Sequence, residues 1–190
     1  MLYVQQSLGP DEQLFYIGHF HWIYDVKSIL SIVFGLLLAV LVVVGTIWLQ
    51  NNVALPFLPP AAPVGSSALD QVRAVPAVVK MLSFLMFMFG LLRYAHLMVT
   101  KVTTEIAITN NRLIYKRGLV ARYVGEMSID RIESVNVLQS FWGRILDYGQ
   151  LAIRGMGVGE VILPPIAAPI NFRKAIERAK QAGQAERQSI

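Results

Sequence analysis

The chain has 190 residues, a net charge of +5 and no cysteine, and 55% of its residues are hydrophobic against 15% charged. Soluble domains carry about 25% charged residues, and a mean hydropathy of +0.51 implies more apolar surface than one small core can bury. The composition therefore argues against an ordinary soluble globule and excludes an intrinsically disordered chain. Without cysteine there is no disulfide framework, thiolate nucleophile or cysteine-ligated metal site.

The hydrophobic residues are concentrated in the first half of the chain. From Ile29 to Leu49 the sequence runs without a charge, and a helix of that length, at about 1.5 Å per residue, covers the roughly 30 Å hydrocarbon core of a bilayer. Trp22 and Lys27 precede it, as aromatic and basic residues do at a membrane surface. We therefore predict a transmembrane helix over residues 28–50, after a cytoplasmic or interfacial leader over residues 1–27.

A second apolar segment predicts another transmembrane helix over residues 76–100. Lys80 and Arg93 bound its uninterrupted apolar core, and long basic side chains near the ends of a span reach the headgroups. Their alternative role is to line a path between several copies, which would make the chain a small transporter or channel subunit. The proline-rich residues 51–75 between the spans predict a stiff, extended extracytoplasmic connector.

Basic residues near the ends of the spans indicate the orientation, since cytoplasmic loops carry an excess of Lys and Arg. The connector holds one basic residue, Arg73. Residues 101–190 hold 13 Lys and Arg against 8 Asp and Glu, which accounts for the whole net charge of the chain. We therefore place the carboxyl-terminal region in the cytoplasm. With two spans the amino terminus lies on the same side, so both termini are cytoplasmic.

After the second span the pattern changes to short stretches with a period of two residues, which is typical of β-strands. Asn110 and Asn111 separate two of them and predict a hairpin, because Asn tolerates the positive φ of a tight turn. Two further strands follow, and then a pair around the glycine-rich GMGVG. Asn171 is predicted to cap a final helix with an apolar stripe formed by Phe172, Ala175, Ile176 and Ala179. The pattern predicts an α+β or mostly-β domain over residues 101–183, with a flexible tail over residues 184–190.

Several short motifs, taken in order, resemble the bacterial pleckstrin-homology (PH) domain of two-span membrane proteins. They are the T-N-N-R-L hairpin, the K-R-G turn, I-D-R-I-E-S-V and Q-S-F-W-G-R-I-L-D-Y-G, and the leader SLGPDEQLFYIGHFHW is similar as well. The resemblance implies a β-sandwich or barrel closed by a carboxyl-terminal helix and attached to transmembrane helices in the bacterial cytoplasmic (inner) membrane. It supplies no activity, because function is not inherited from a fold.

No residue pattern in the sequence indicates catalysis or a bound cofactor. GMGVG is followed by the strand-like EVILPP, which favours a hairpin over a phosphate-binding loop. His19 and His21 would share one face of a strand, but two imidazoles alone make a poor metal site. The aromatic residues around them favour a place at the membrane surface. Hydrolase signatures are not found either, so we expect a non-enzyme with no metal, cofactor or small-molecule substrate.

The basic residues Lys116, Arg117 and Arg122 surround an apolar tip that includes Leu119 and Val120. Such a tip can dip into an anionic leaflet, where each Lys or Arg contributes about 1 kcal/mol. The resemblance implies headgroup binding, because eukaryotic PH domains bind phosphoinositides through basic residues around an early hairpin. The plainer interpretation is a solvated edge whose charge only sets the orientation.

Together these observations predict a non-enzymatic integral membrane protein whose cytoplasmic domain holds a protein partner or copies of itself at the inner leaflet. Open strand edges and the tip around Leu119 are the expected contact surfaces. The first alternative is sensing of anionic lipid headgroups through Lys116, Arg117 and Arg122, and the second is the transporter or channel subunit. Membrane lipids are therefore expected partners. Nucleic acid is not, because the sequence contains no recognition helix or stacking platform.

Overall fold

The computed structural model describes residues 2–10, 12–53, 60, 62–63, 65–118, 123–157 and 159–188, with side chains except at Leu2, Tyr123 and residues 184–188. These residues divide into two units. The first unit comprises Met1–Asp25 and Val99–Ile190, and the second comprises Val26–Met98. The second unit is therefore inserted into the sequence of the first.

The first unit contains two antiparallel sheets. One has four strands in the order β1 (Leu14–Gly18), β2 (Glu105–Thr109), β3 (Arg112–Arg117) and β4 (Tyr123–Ser128). The other consists of β5 (Ile132–Leu138), β6 (Tyr148–Gly155) and β7 (Gly159–Ile162), with the short β8 (Ile166–Ala167) also paired to β6. The helices of the first unit are α1 (Leu2–Ser7), α5 (Phe141–Ile145) and α6 (Pro169–Gln188), and a 3-10 turn spans Ile129–Arg131.

Both predicted hairpins are confirmed by the strand pairing. Across the first turn, Ile108 pairs with Leu113, and β6 and β7 pair on either side of the glycine-rich segment. The apolar stripe of the final helix is confirmed as well, because its four members are at most 8% exposed. They belong to one cluster of buried side chains that joins both sheets to α6.

The final helix begins at Pro169, two residues before the Asn171 cap that the sequence predicts. Proline suits the first helical position because its φ is already helical and its missing N–H needs no partner there. Ala168 turns the chain into the helix with a φ of 48°, and its N–H donates to the carbonyl of Asp147 at 3.0 Å. The helix continues through Gln188, so the backbone is helical beyond residue 183, where the sequence predicts a flexible tail.

The leader contributes a strand that the sequence pattern does not predict. In β1, Leu14 pairs with Thr109 and Gly18 pairs with Ile106. A strand of five residues carries little pattern of its own, and its partner follows only after two long apolar helices. As a result, the helical unit is inserted between two neighbouring strands of one sheet.

The second unit consists of most of two long helices, α2 (Ile23–Asn52) and α4 (Ala77–Thr103), and of α3 (Ala68–Ala74) between them. By length and composition both long helices are able to cross a membrane, and only 17% and 11% of their most apolar windows are buried. The connector is not extended throughout, because residues 68–74 are helical. The Ser67 hydroxyl caps α3 by accepting the Asp70 N–H at 3.3 Å, an interaction that stabilises a helix start.

Small residues line the contact between α2 and α4. A Cβ atom added at Gly90 would lie 2.7 Å from the carbonyl oxygen of Ser31, and one added at Gly35 would lie 2.9 Å from the Cα of Gly90. Other small buried residues of the two helices are Ser28, Ala39, Thr46 and Ser83. Small residues let two helix backbones approach closely, which is the usual way that helices pair in membranes.

Candidate interaction site

Arg112 joins the leader to the four-stranded sheet through ionic hydrogen bonds. Its Nε and Nη2 donate to the two carboxylate oxygens of Glu12 at 2.9 and 2.8 Å. Its Nη1 donates to Glu126 at 2.8 Å, and Nη2 also donates to the carbonyl of Ser7 at 2.7 Å. The Thr109 hydroxyl donates to Glu12 at 2.7 Å. All three guanidinium nitrogens donate hydrogen bonds within the protein, which indicates a structural role. We call this group of five residues the Arg112 clasp.

The clasp makes folding sensitive to acid through Glu12. Burial raises the pKa of Glu12, but hydrogen bonds from the Gly9 N–H, Thr109 and Arg112, together with the Arg112 charge, hold the pKa below its ordinary value. A carboxyl whose pKa is lowered by folding stabilises the fold above its unfolded pKa, and this stabilisation is lost as the pH falls through the folded pKa. Arg112 keeps its charge throughout, and the same contacts raise its pKa further.

Replacing Glu12 by Gln should lower the free energy of unfolding by about 1 kcal/mol at neutral pH, because the ionic hydrogen bonds become neutral ones. The free energy of unfolding of the variant should also fall less steeply than that of the unmodified chain below about pH 5. Chemical unfolding of the full chain in detergent, followed by circular dichroism across this pH range, measures both effects. Glu177→Gln is the control, since its ion pair with Arg173 is exposed. Equal pH profiles for the two variants would contradict the role of the clasp.

Lys116 is held in an internal ion pair. Its ammonium donates to Glu105 at 3.1 Å and lies 5.2 Å from the centre of the Tyr3 ring, and its side chain is 15% exposed. Burial raises the pKa of Glu105, but hydrogen bonds from the Val4 N–H and Lys116 hold that pKa below its ordinary value. The carboxylate therefore stays charged near neutral pH and keeps Lys116 against β2.

Lys116 and Arg117 are the members of the predicted basic tip that the structure describes. Arg117 is exposed, as expected for the next residue on a strand, because successive side chains point to opposite faces. Leu119, Val120 and Arg122 lie outside the described residues. Lys116 and Arg117 therefore lie on opposite faces of β3, and the basic tip as a whole stays a prediction.

His21 packs inside the first unit, immediately before α2. Its Nδ1 accepts the Ile23 N–H at 3.2 Å, and its ring stacks on Tyr148 with 5.2 Å between the ring centres. The carbonyl of His19 accepts the Ala167 N–H at 2.9 Å. No group of three or more His, Asp or Glu among the described residues is arranged to hold a metal ion. The two histidines fix the path of the chain along β6 and β8.

The glycine-rich segment forms the turn between β6 and β7. Gly155 pairs with Gly159, and Gly157 and Gly159 have φ values of 73° and 77°, a conformation that residues with a Cβ rarely adopt. A strand follows the turn, so the segment lacks the helix N-terminus that a phosphate-binding loop uses.

Lys80 and Arg93, the basic residues that bound the apolar core of the second predicted span, lie on the exposed surface of α4. The ammonium of Lys80 donates to the carbonyl of Arg73 at 2.9 Å, near the beginning of the helix. Arg93 is exposed within the second half of α4. Lys80 is thus bonded to the backbone of the connector, which agrees with a position near the end of the predicted span.

The edge strand β5 borders a groove against α6. Among the described strands β5 pairs only with β6, and its other edge faces a groove of about 310 Å³. Lys180 donates to the carbonyl of Ile132 at one end of this edge. The groove walls carry both signs of charge and include Glu133, Ser134, Asn136, Arg173, Ile176 and Glu177. Unpaired strand edges beside a groove can bind an extended peptide through its backbone.

The short helix α5, which the sequence pattern does not predict, presents large apolar side chains to the outside. The Ser140 hydroxyl caps the helix by accepting the Gly143 N–H at 3.1 Å. Phe141, Trp142 and Ile145 are 73%, 64% and 59% exposed, and the two aromatic rings meet edge to face at 5.7 Å. Five residues are too few to show helical periodicity, so the only available signal was the serine followed by large apolar residues.

The first unit is a PH-like domain, because its two antiparallel sheets share a core with a carboxyl-terminal helix. Two long apolar helices interrupt the domain after its first strand. The family model described as Bacterial PH domain matches residues 14–180, from the first residue of β1 into α6. The chain therefore belongs to the bacterial PH domain family, and membership suggests a module that interacts with proteins or lipids. Comparisons with curated proteins and with solved structures find no match.

Proposed function

We propose that the protein is a non-enzymatic, membrane-tethered interaction module. Its PH-like domain holds a protein partner, or a second copy of the chain, at the inner face of the bacterial cytoplasmic membrane. The observation that carries this proposal is the insertion of the apolar helical unit between the paired strands β1 and β2.

The strand pairing constrains how the chain crosses a membrane. Gly18 and Ile106 are paired across neighbouring strands, so the chain must leave the domain and return to the same side. An even number of crossings satisfies this requirement, and α2 and α4 supply two. An ion pair of Asp25 with Lys101, at 2.7 Å, also joins the start of α2 to the end of α4.

The dimensions and surfaces of the two helices fit a bilayer. With 30 and 27 residues they are about 45 and 40 Å long, against a hydrocarbon core of about 30 Å. Large apolar side chains are strongly exposed on both, including Leu37, Leu41 and Phe89 at 60%, 66% and 68%. Apolar surfaces of this kind are stable in contact with lipid and unfavourable in contact with water. The excess of basic residues after α4 supports a cytoplasmic domain and cytoplasmic termini.

The edge of β5 is the surface on which we place the partner. A protein segment in extended conformation would add to this edge by backbone hydrogen bonds and lie in the groove beside α6. Mixed charges on the groove walls fit a polar peptide better than an anionic surface. Ser134 lies on this edge, and an indole introduced there would fill much of the groove.

The experiment is purification of the tagged full chain from bacterial membranes in mild detergent. We expect the chain to resist extraction from the membrane by alkaline carbonate and to carry a stoichiometric protein partner or a second copy of itself. Ser134→Trp should abolish that association because the groove is filled. Glu160→Trp, an exposed position on the opposite edge strand β7, is the matched control and should retain it.

Each part of the proposal has an outcome that contradicts it. A chain released by carbonate would overturn the anchoring, and a phosphatase reporter after residue 190 that is active outside the cytoplasm would overturn the orientation. A lone monomer would contradict the scaffold role. Loss of the partner in Glu160→Trp but not in Ser134→Trp would move the contact away from β5.

A further inference from the structure

The exposed side chains of α5 form one apolar face at the end of the first unit. Phe141, Trp142 and Ile145 point outward from this single helical turn, and Leu138 at the end of β5 is also 51% exposed. We call these four residues the α5 face. Large apolar side chains concentrated at one place on a surface mark a contact with a partner or with lipid.

The α5 face lies at the end of the domain from which the chain enters α2. Tyr148, the first residue of β6 after α5, stacks on His21. Trp22 follows His21 in the chain, packs against its ring at 5.3 Å between centres and is 54% exposed. Ile23 then begins α2. On its other side Tyr148 adjoins α5, because the Gln139 amide donates to the carbonyls of both Gly143 and Tyr148, so α5 and the entry to α2 are neighbours within the first unit.

If α2 crosses the membrane, the chain connectivity brings Trp22 close to the membrane surface. The charge-free apolar segment begins at Ile29, six residues after the start of α2 at Ile23, which corresponds to about 9 Å along a helix. This distance is slightly more than the thickness of one headgroup layer, about 5–7.5 Å, since two such layers account for the difference between about 30 Å of hydrocarbon and 40–45 Å of whole bilayer.

We propose that the α5 face inserts into the headgroup region of the bilayer as a second membrane contact beside the two spans. This inference rests on the proposed function, since it requires α2 and α4 to cross the membrane. Trp and Phe are the side chains that favour this region, because they place aromatic rings at the boundary between headgroups and hydrocarbon. Arg144 lies exposed on the same helical turn, where its guanidinium can bind lipid phosphate.

The contact would fix the orientation of the domain on the membrane. A domain held only by its links to α2 and α4 is free to tilt, whereas a third attachment at α5 restricts tilting. The groove between β5 and α6 would then be presented to the cytoplasm at a constant angle.

The test uses the absence of cysteine from the natural sequence, which allows single-cysteine variants without other changes. Spin labels at Phe141→Cys and Ile145→Cys are compared in the full chain, reconstituted in vesicles of phosphatidylethanolamine and phosphatidylglycerol. Collision with molecular oxygen reports lipid contact, and collision with a water-soluble nickel chelate reports contact with water. We expect both labels to collide with nickel several-fold less, and with oxygen more, than a label at Met156→Cys. Met156 is the matched control because it is 58% exposed in the β6–β7 turn.

A fourth label separates failure of this inference from failure of the proposed function. Leu37→Cys, on the exposed surface of α2, must report lipid if the helix spans the membrane. If Leu37 is in lipid while Phe141 and Ile145 match Met156, the bilayer contact is overturned and the anchoring stands. If Leu37 is in water, the anchoring itself fails. If the labels at α5 are shielded from both reagents, α5 contacts protein and the bilayer contact is overturned. Spin–spin broadening in that case would identify the contacting protein as a second copy of the chain.

Discussion

Phe172→Ala is expected to lower the free energy of unfolding of the first unit by about 3–5 kcal/mol, the usual loss for a buried aromatic side chain. Phe172 is fully buried, and its ring meets Tyr16 edge to face at 5.6 Å. A Cβ atom added at Gly18 would lie 3.1 Å from the same ring. Phe172 therefore connects α6 to β1, and its removal leaves a cavity beneath the strand that leads into α2.

The measurement is chemical unfolding of the full chain in detergent, followed by circular dichroism, with limited proteolysis of the leader as a second readout. We expect the leader to be cleaved faster in Phe172→Ala, because β1 loses its packing partner. Ile170→Ala is the matched control on the same helix, since Ile170 is 50% exposed and surface changes usually stay within about 0.5 kcal/mol. Similar losses for the two variants would show that α6 does not depend on this contact.

Local patterns made the central part of this fold predictable. The stripe at Phe172, Ala175, Ile176 and Ala179 repeats at helical spacing, and Asn110-Asn111 marks a turn between alternating strands. Each of these signals lies within one element or between adjacent elements. The domain's first strand gave no such signal, because β1 acquires its partner only when the chain has returned from α4.

The surface sites were predicted less completely, for a related reason. The sequence shows that Lys116 and Arg117 are basic, but not that the register places Lys116 opposite Glu105. In that position the Lys116 ammonium forms an internal ion pair with Glu105. Likewise Glu12 and Arg112 are far apart in the sequence, and the clasp that joins them depends on the same β1–β2 pairing. The α5 face was missed because one helical turn has no period to detect.

The clasp, the His21–Tyr148 stack and the Asp25–Lys101 pair all tie together segments that the helical unit separates in the sequence. Each joins a residue before α2, or in its first turn, to one after α4 or in its last turn. The domain is therefore completed only when the chain has passed through both long helices and returned. Folding of the domain and hairpin formation by α2 and α4 are expected to depend on each other.

Gly90→Ala is expected to destabilise the pair of α2 and α4 by about 1–3 kcal/mol, since overpacking a close contact displaces the backbone. A Cβ atom at this position would lie 2.7 Å from the Ser31 carbonyl oxygen, and a backbone atom cannot rotate away as a side chain can. Gly35→Ala should behave similarly, because its Cβ would meet the Cα of Gly90 at 2.9 Å. The two changes act on one contact, so their combination should cost less than their sum.

Gly45→Ala provides a matched control within α2, because among the described residues no atom beyond the adjoining backbone of α2 lies within 4 Å of a Cβ added there. Alanine favours a helix over glycine by roughly 0.5–1 kcal/mol, so this variant should be neutral or more stable. Unfolding of the full chain in bicelles with increasing dodecyl sulfate measures all three variants on one scale. Opposite signs for Gly90→Ala and Gly45→Ala would establish that the helices touch along this seam. Equal effects would mean that the two helices do not pack through Gly35 and Gly90, and the hairpin would then be held only by its connector and by the strands to which it returns.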